Sequence, residues 1–174
     1  MKKEVELKFF VDDLGVLRKK LKKLGAKFEW AGSERDFYFD TAGKKLKKRR
    51  SMLRLRITPD FSYLTYKEGV THGKFKIADE YEVSSIKNPQ ELKNILERLG
   101  FAVWVSYRKP RREFWKLQGY HITLDSFPFG KFVEVEGTGK FIRNTAAKLG
   151  LNFAKSSTKS YIQLLEEYRK KKPG

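Results

Sequence analysis

The sequence runs to 174 residues, with 39 Lys and Arg against 21 Asp and Glu and a formal charge of +18; that length suits one domain, residues 1–174, whose core needs no staple. Its 14 Phe, 8 Tyr and 3 Trp exclude a disordered chain, no apolar run is long enough for a transmembrane helix, and MKKEVELKFF lacks the apolar stretch of a secretory leader, so a cytoplasmic location is expected. With no Cys and two His, disulfides, thiolate zinc sites and cysteine nucleophiles are excluded, and any metal would be held mainly by oxygen, as Mg²⁺, Mn²⁺ or Ca²⁺ is.

In chain order, a first strand is expected near 3–10. Asp12 is placed to cap a helix in which Leu14, Leu17, Leu21 and Leu24 recur at helical spacing, stopped by Gly25. Strands are expected near 35–41, 52–58, 62–68 and 74–84. The basic run KKLKKRR (44–50) reads as a solvated hairpin between the first two, with phosphate or nucleic-acid contact as its sharper reading. Asn88-Pro89 forms the cap and first turn of a second helix carrying Leu92, Ile95, Leu96 and Leu99, stopped by Gly100. Strands near 103–117, 119–126 and 131–138 follow. Phe141, Ile142, Thr145, Ala146 and Leu149 mark a third helix closed by Gly150. A fourth covers 158–171, with Tyr161 as packing, and residues 170–174 form a frayed tail. The helix ends KLGAKF, RLGFAV and KLGLNF echo one another, each a Leu-Gly stop before a returning strand. Eight strands with few helices predict an α+β protein: a closed or nearly closed antiparallel eight-stranded β-barrel with helices packed outside.

The strands also alternate charge with apolar side chains, and alternate residues share a face. Glu4, Glu6 and Lys8 oppose Val5, Leu7 and Phe9. Arg54 and Arg56 oppose Leu53, Leu55 and Ile57, and Lys67 shares a face with Thr65. Glu80 and Glu82, Lys109 with Arg111 and Glu113, His121 with Thr123 and Asp125, and Glu134 with Glu136 complete the set. Arg112 and Trp115 are expected to point outward, toward an apolar face that the helices cover. One such strand would simply face water, but seven, using pairs of one sign, imply a common charged interior. Buried charges need partners. Like-signed carboxylates call for divalent cations, and the Arg and Lys suit a ligand with several anionic oxygens. Carboxylates, metal and cations together are the equipment of phosphoryl or nucleotidyl transfer. His121 would touch ligand or hydrogen-bond within the wall.

The start Glu4-x-Glu6-x-Lys8 resembles the CYTH family, the triphosphate tunnel metalloenzymes. It is followed in order by D-F-Y-F-D-T (36–41), L-R-L-R (53–56), T-Y-K (65–67), E-Y-E (80–82), Lys109-x-Arg111, L-D (124–125), G-K-F-V-E-V-E (130–136) and K-S-Y-I-Q-L-L (159–165). The resemblance implies a tunnel of antiparallel strands that binds a triphosphate with Mg²⁺ or Mn²⁺. It makes Glu4, Glu6, Asp125, Glu134 and Glu136 metal ligands, and Glu4, Glu6, Lys8 and Glu136 the catalytic set. Lys8, Arg54, Arg56, Lys67, Lys109, Arg111 and Lys159 would bind phosphates, with Glu80 and Glu82 as a supporting acidic pair. G-Y-H-I-T-L-D (119–125) is most similar to the class IV adenylyl cyclase branch, implying conversion of ATP to cyclic AMP and pyrophosphate. Cyclases of that branch often carry a His-Phe pair before ExExK, where this sequence has Met-Lys-Lys. That raises the standing of the alternative, hydrolysis of thiamine triphosphate, tripolyphosphate or a nucleotide, beside the cyclase reading.

With Glu113 left aside, six cations and seven carboxylates occupy the proposed inward faces, so the excess charge belongs to the rest of the chain. It would draw anionic substrates inward, or it reflects the Lys-rich habit of thermophile surfaces. A non-catalytic binder of polyphosphate or RNA, using that basic exterior, is the rival class. A small-molecule triphosphate is the expected partner, nucleic acid a lesser one, a membrane none, and a homodimer is allowed.

Overall fold

Period-two alternation organises most of the chain. The computed structural model describes residues 2–171. Its strands are β1 (Lys2–Val11), β2 (Lys27–Asp40), β3 (Met52–Ile57), β4 (Ser62–His72), β5 (Lys76–Val83), β6 (Ala102–Leu117), β7 (Tyr120–Phe127), β8 (Gly130–Glu136) and the short β9 (Ser156–Ser157). They are hydrogen-bonded in the order β5-β4-β3-β2-β6-β7-β8-β1-β9, with a further β5–β1 pairing, so the first eight form a ring. The registered pairs β1–β8, β2–β3, β3–β4, β6–β7 and β7–β8 are antiparallel. Five helices join them: α1 (Leu14–Lys23), α2 (Lys45–Lys48), α3 (Pro89–Arg98), α4 (Gly139–Leu149) and α5 (Tyr161–Lys171). Among the described residues no helix is long and apolar enough to cross a membrane.

The chain divides into two packing units. One holds Gly32–Thr71, Ile77–Pro110 and the chain up to Glu4; the other holds Val5–Ala31, His72–Lys76 and the chain from Arg111 onward. In the first, the apolar face of β2 and β3 packs Phe39, Leu53 and Leu55 against Leu96 of α3. In the second, Leu7 and Phe9 of β1, Ile122 and Leu124 of β7, and Val133 and Val135 of β8 pack against Leu17 and Leu21 of α1 and Ile142 and Ala146 of α4. Each fully buried aliphatic side chain here contributes about 1.5–3 kcal/mol. Trp115 joins this core at 2% exposure, on the apolar face expected of it, although it shares the parity of Arg111.

The echoed Leu-Gly ends are one backbone closure used three times. The amides of Ala26, Phe101 and Leu151 donate to the carbonyls of Leu21, Leu96 and Ala146, five residues back. The intervening Gly25, Gly100 and Gly150 take φ of 77°, 87° and 72°, which a side chain would disfavour. The third end leads not into a full strand but into a 3₁₀ turn, Phe153–Lys155, and then β9. Other expectations need adjustment. Asp13, not Asp12, caps α1, accepting from the amides of Gly15 and Val16. The strand expected near 35–41 begins at Lys27, where polar residues hide the alternation; Phe28 on Trp115 and Trp30 on Phe114 hold that extension. Residues 44–50 are not a plain hairpin but contain α2. Of the expected frayed tail, residues 170 and 171 continue α5, and 172–174 lie outside the described residues.

Candidate functional site

Cross-strand registry builds the charged set of the first unit. Asp36 on β2 lies opposite Arg56 on β3. The guanidinium donates through both Nε and Nη2 to its two oxygens at 2.7 and 3.0 Å. Burial would push the Asp36 carboxyl up, but Arg56 and then Lys109 hold it well below the usual carboxylate range. Lys109 Nζ bridges Glu34 at 2.8 Å and Asp36 at 3.4 Å, and all three are at most 1% exposed. Lys67 reaches both Glu4 and Glu80, the latter at 2.6 Å. Arg54 differs from these cations. Its Nη2 donates to Thr65 Oγ1 at 3.1 Å, while its buried Nε has no hydrogen-bond partner among the described residues. Beside it, Tyr38 and Tyr107 stack with their hydroxyls 3.1 Å apart. Burial and the nearby Asp36 charge raise both phenols above their ordinary value.

The second unit repeats the plan. Arg112 on β6 lies opposite Asp125 on β7 and donates to both of its oxygens, at 2.5 and 2.6 Å. Tyr161 at the start of α5 donates its hydroxyl to the same Asp125 at 2.6 Å. Lys8 sits between Glu6 at 2.7 Å and Glu134 at 2.5 Å. Burial alone would push its ammonium down, but Glu134 and then Glu6 outweigh that and hold it above its ordinary value. Lys76 adds a second ammonium on Glu6 at 2.7 Å. Glu136 lies directly opposite Glu6 across β1 and β8, with His121 Nδ1 at 3.8 Å from its carboxylate.

Most sequence-derived charges take part in these sets, with clear corrections. Arg111, expected to share the inward face with Lys109, is 57% exposed in its side chain and pairs with Glu113. Arg112, expected outward, is buried on Asp125 instead. Glu113 leaves the polar set as well, and takes Arg18 of α1 at 2.9 Å. The parity slips at Pro110, which has no amide to give to a ladder and marks irregular pairing. Lys159 precedes α5 rather than riding on it; it is half exposed and pairs with Glu167 at 2.6 Å. Asp125, expected to bind metal, has both oxygens on Arg112 and one also on Tyr161. Glu82 is exposed and accepts from Thr65. Glu34, Asp36, Lys76 and the Tyr161 hydroxyl were not singled out from sequence. The signal for Asp36 was its place opposite Arg56, legible only once β2 and β3 are registered.

A divalent ion would need oxygen donors. Glu6 and Glu136 face each other directly, with Glu134 two residues along β8. Opposed carboxylates repel unless a cation joins them, and this all-oxygen set suits Mg²⁺ or Mn²⁺. Among the described residues no three such side chains converge as ligands. Glu6 and Glu134 are turned to Lys8 and Lys76, so an ion would take the place of ammonium groups.

An antiparallel ring whose polar face carries buried cation–carboxylate sets defines a recognisable class. Residues 2–161 match the CYTH domain, and the chain belongs to the CYTH family. A Methanocaldococcus jannaschii protein named "putative adenylate cyclase" is 30% identical over 139 residues, covering 80% of this chain and 74% of that one. A Vibrio parahaemolyticus structure, also described as a "putative adenylate cyclase", superposes with a TM-score of 0.83 at 22% identity, over 94% of this chain and 97% of its own. The Pyrococcus horikoshii protein PH1012 superposes with a TM-score of 0.75 at 30% identity, over 92% and 98%. A Hippeastrum protein whose description reads "dominant triphophatase activity" shares the fold at 17% identity and a TM-score of 0.62, over 92% and 91%.

Proposed function

We propose that the protein is a divalent-metal-dependent enzyme acting on a triphosphate, of the class IV adenylyl cyclase type, which converts ATP to cyclic AMP and pyrophosphate. The observation that carries the triphosphate is Arg54. Its buried Nε lacks an acceptor, and leaving a buried donor unmet costs about 1–3 kcal/mol. A phosphate oxygen satisfies it and meets the guanidinium in a charge-assisted bond. Lys67 and Lys8, each between two glutamates, would offer ammonium groups to further phosphate oxygens. Arg56 and Lys109 are already neutralised by Asp36 and Glu34, so they set the position of the wall beside Arg54. Glu80 holds Lys67, and Glu82 holds Thr65.

In the reaction, the ribose 3′-oxygen attacks the α-phosphorus and gives up its proton to solvent water, the α–β bridging bond breaks, and pyrophosphate departs with that electron pair. Mg²⁺ or Mn²⁺, held by Glu6, Glu134 and Glu136, would neutralise phosphate oxygens and lower the pKa of the attacking hydroxyl. The cyclase reading is supported by the name of the M. jannaschii relative. The second reading, hydrolysis of a terminal phosphate, is supported by the activity named for the Hippeastrum protein of similar fold. The test is product analysis after incubation with ATP, thiamine triphosphate and tripolyphosphate, each with Mg²⁺ or Mn²⁺. Cyclic AMP with pyrophosphate is expected from ATP. Orthophosphate release alone selects the triphosphatase, and turnover of none of them contradicts both.

A further inference from the structure

The basic run at residues 44–50 takes no part in either charged set. Six of its seven residues are Lys or Arg, and all six are exposed. No ion pair to a carboxylate joins any of them among the described residues. Thermophile surfaces use mixed-sign networks, and this stretch has no carboxylate of its own.

The segment is nevertheless firmly built. Asp40, 4% exposed, accepts from the amides of Thr41, Leu46 and Lys47 at 2.7, 3.0 and 3.0 Å. Leu46 turns into the core with Phe39 and Leu53. The amide of Ser51 donates to the carbonyl of Leu46, and that of Arg50 to Lys47. This is the closure that ends α1, α3 and α4, with one difference. Where those helices place glycine, α2 places Arg50, at φ 53°, and Lys44 at its other end has φ 52°. The left-handed conformation is disfavoured for any residue but glycine, because Cβ crowds the following carbonyl. The segment thus keeps a cation where its own sister turns keep glycine. Next to it Trp104 is 38% exposed, with Lys47 Nζ 5.5 Å from its ring centroid.

From this we infer that residues 44–50 and Trp104 form a surface for single-stranded nucleic acid, separate from the triphosphate chemistry. Fixed cations track phosphates, and an exposed indole offers a face on which a base can stack. An anionic membrane fits less well, because the one aliphatic residue of the segment, Leu46, is turned into the core.

The test is fluorescence anisotropy with a labelled single-stranded RNA of about 20 nucleotides across a NaCl series. The triple variant Lys45→Gln, Lys48→Gln, Arg49→Gln should bind about tenfold more weakly at ~100 mM salt, with a salt slope smaller by about 2. The control triple Lys19→Gln, Lys22→Gln, Lys23→Gln on exposed positions of α1 should stay within about threefold, and both should turn over ATP as the parent does. Trp104→Ala should weaken binding about tenfold. Arg50→Gly should raise the melting temperature while weakening RNA binding, a pair of changes that a purely structural turn would not give. Equal losses in the two triple variants, an unchanged salt slope, or capture by phosphatidylserine vesicles without RNA binding would each overturn the inference.

Discussion

The two packing units carry the same pair of devices and differ in what is left over. Each has a guanidinium fastened by two bonds to an aspartate directly across the sheet: Arg56 on Asp36 and Arg112 on Asp125. Each has a lysine shared by two glutamates: Lys67 with Glu4 and Glu80, Lys8 with Glu6 and Glu134. Beyond these, the first unit has Arg54, a cation short of an acceptor. The second has Glu136 directly opposite Glu6, two carboxylates that could share a cation. We read the guanidinium locks as structure and the remainders as receptivity, one unit set to take an anion and the other a cation.

The largest expected effects fall on the locks. Arg56→Ala or Arg112→Ala removes the guanidinium from a buried aspartate and should cost about 3–5 kcal/mol in urea denaturation. A much smaller loss in one unit would show that the two are not equivalent. The Asp36 lock also has a pH signature. Its folded pKa lies below the unfolded value, so its stabilisation is full above the ordinary aspartate range and is lost as pH falls below it. Asp36→Asn should flatten that part of the acid limb. Next comes Tyr161→Phe, which removes a donor to a carboxylate that Arg112 already satisfies, for about 1.5–3 kcal/mol. The smallest effect is Lys76→Met. It removes one of two ammonium groups from Glu6 and should tighten Mn²⁺ binding about threefold by calorimetry, as expected for a partly screened charge.

Much of this was legible in the sequence. Strict alternation placed Lys8, Arg56, Lys67 and Lys109 on polar faces, and Leu-Gly stops placed three helix ends. What failed did so for local reasons. Alternation assumes an unbroken ladder, and Pro110 broke it, exchanging Arg111 for Arg112. The alternation also does not reveal which strand lies beside which. Asp36 therefore looked like part of a motif, and Tyr161 like packing, until registry and α5 brought each to a charged partner. α2 lacked any helical period, since one backbone-accepting aspartate, Asp40, holds it rather than an apolar face.

The division between an anion-receptive and a cation-receptive unit is tested most directly by calorimetry on Arg54→Ala and Glu136→Gln. Each would be titrated separately with metal-free tripolyphosphate and with Mn²⁺. Arg54→Ala should lose at least about tenfold in tripolyphosphate affinity while keeping Mn²⁺, as removal of one charge-assisted bond implies. Glu136→Gln should lose Mn²⁺ while keeping tripolyphosphate. If both variants weaken both ligands alike, or neither weakens its own, the division is wrong.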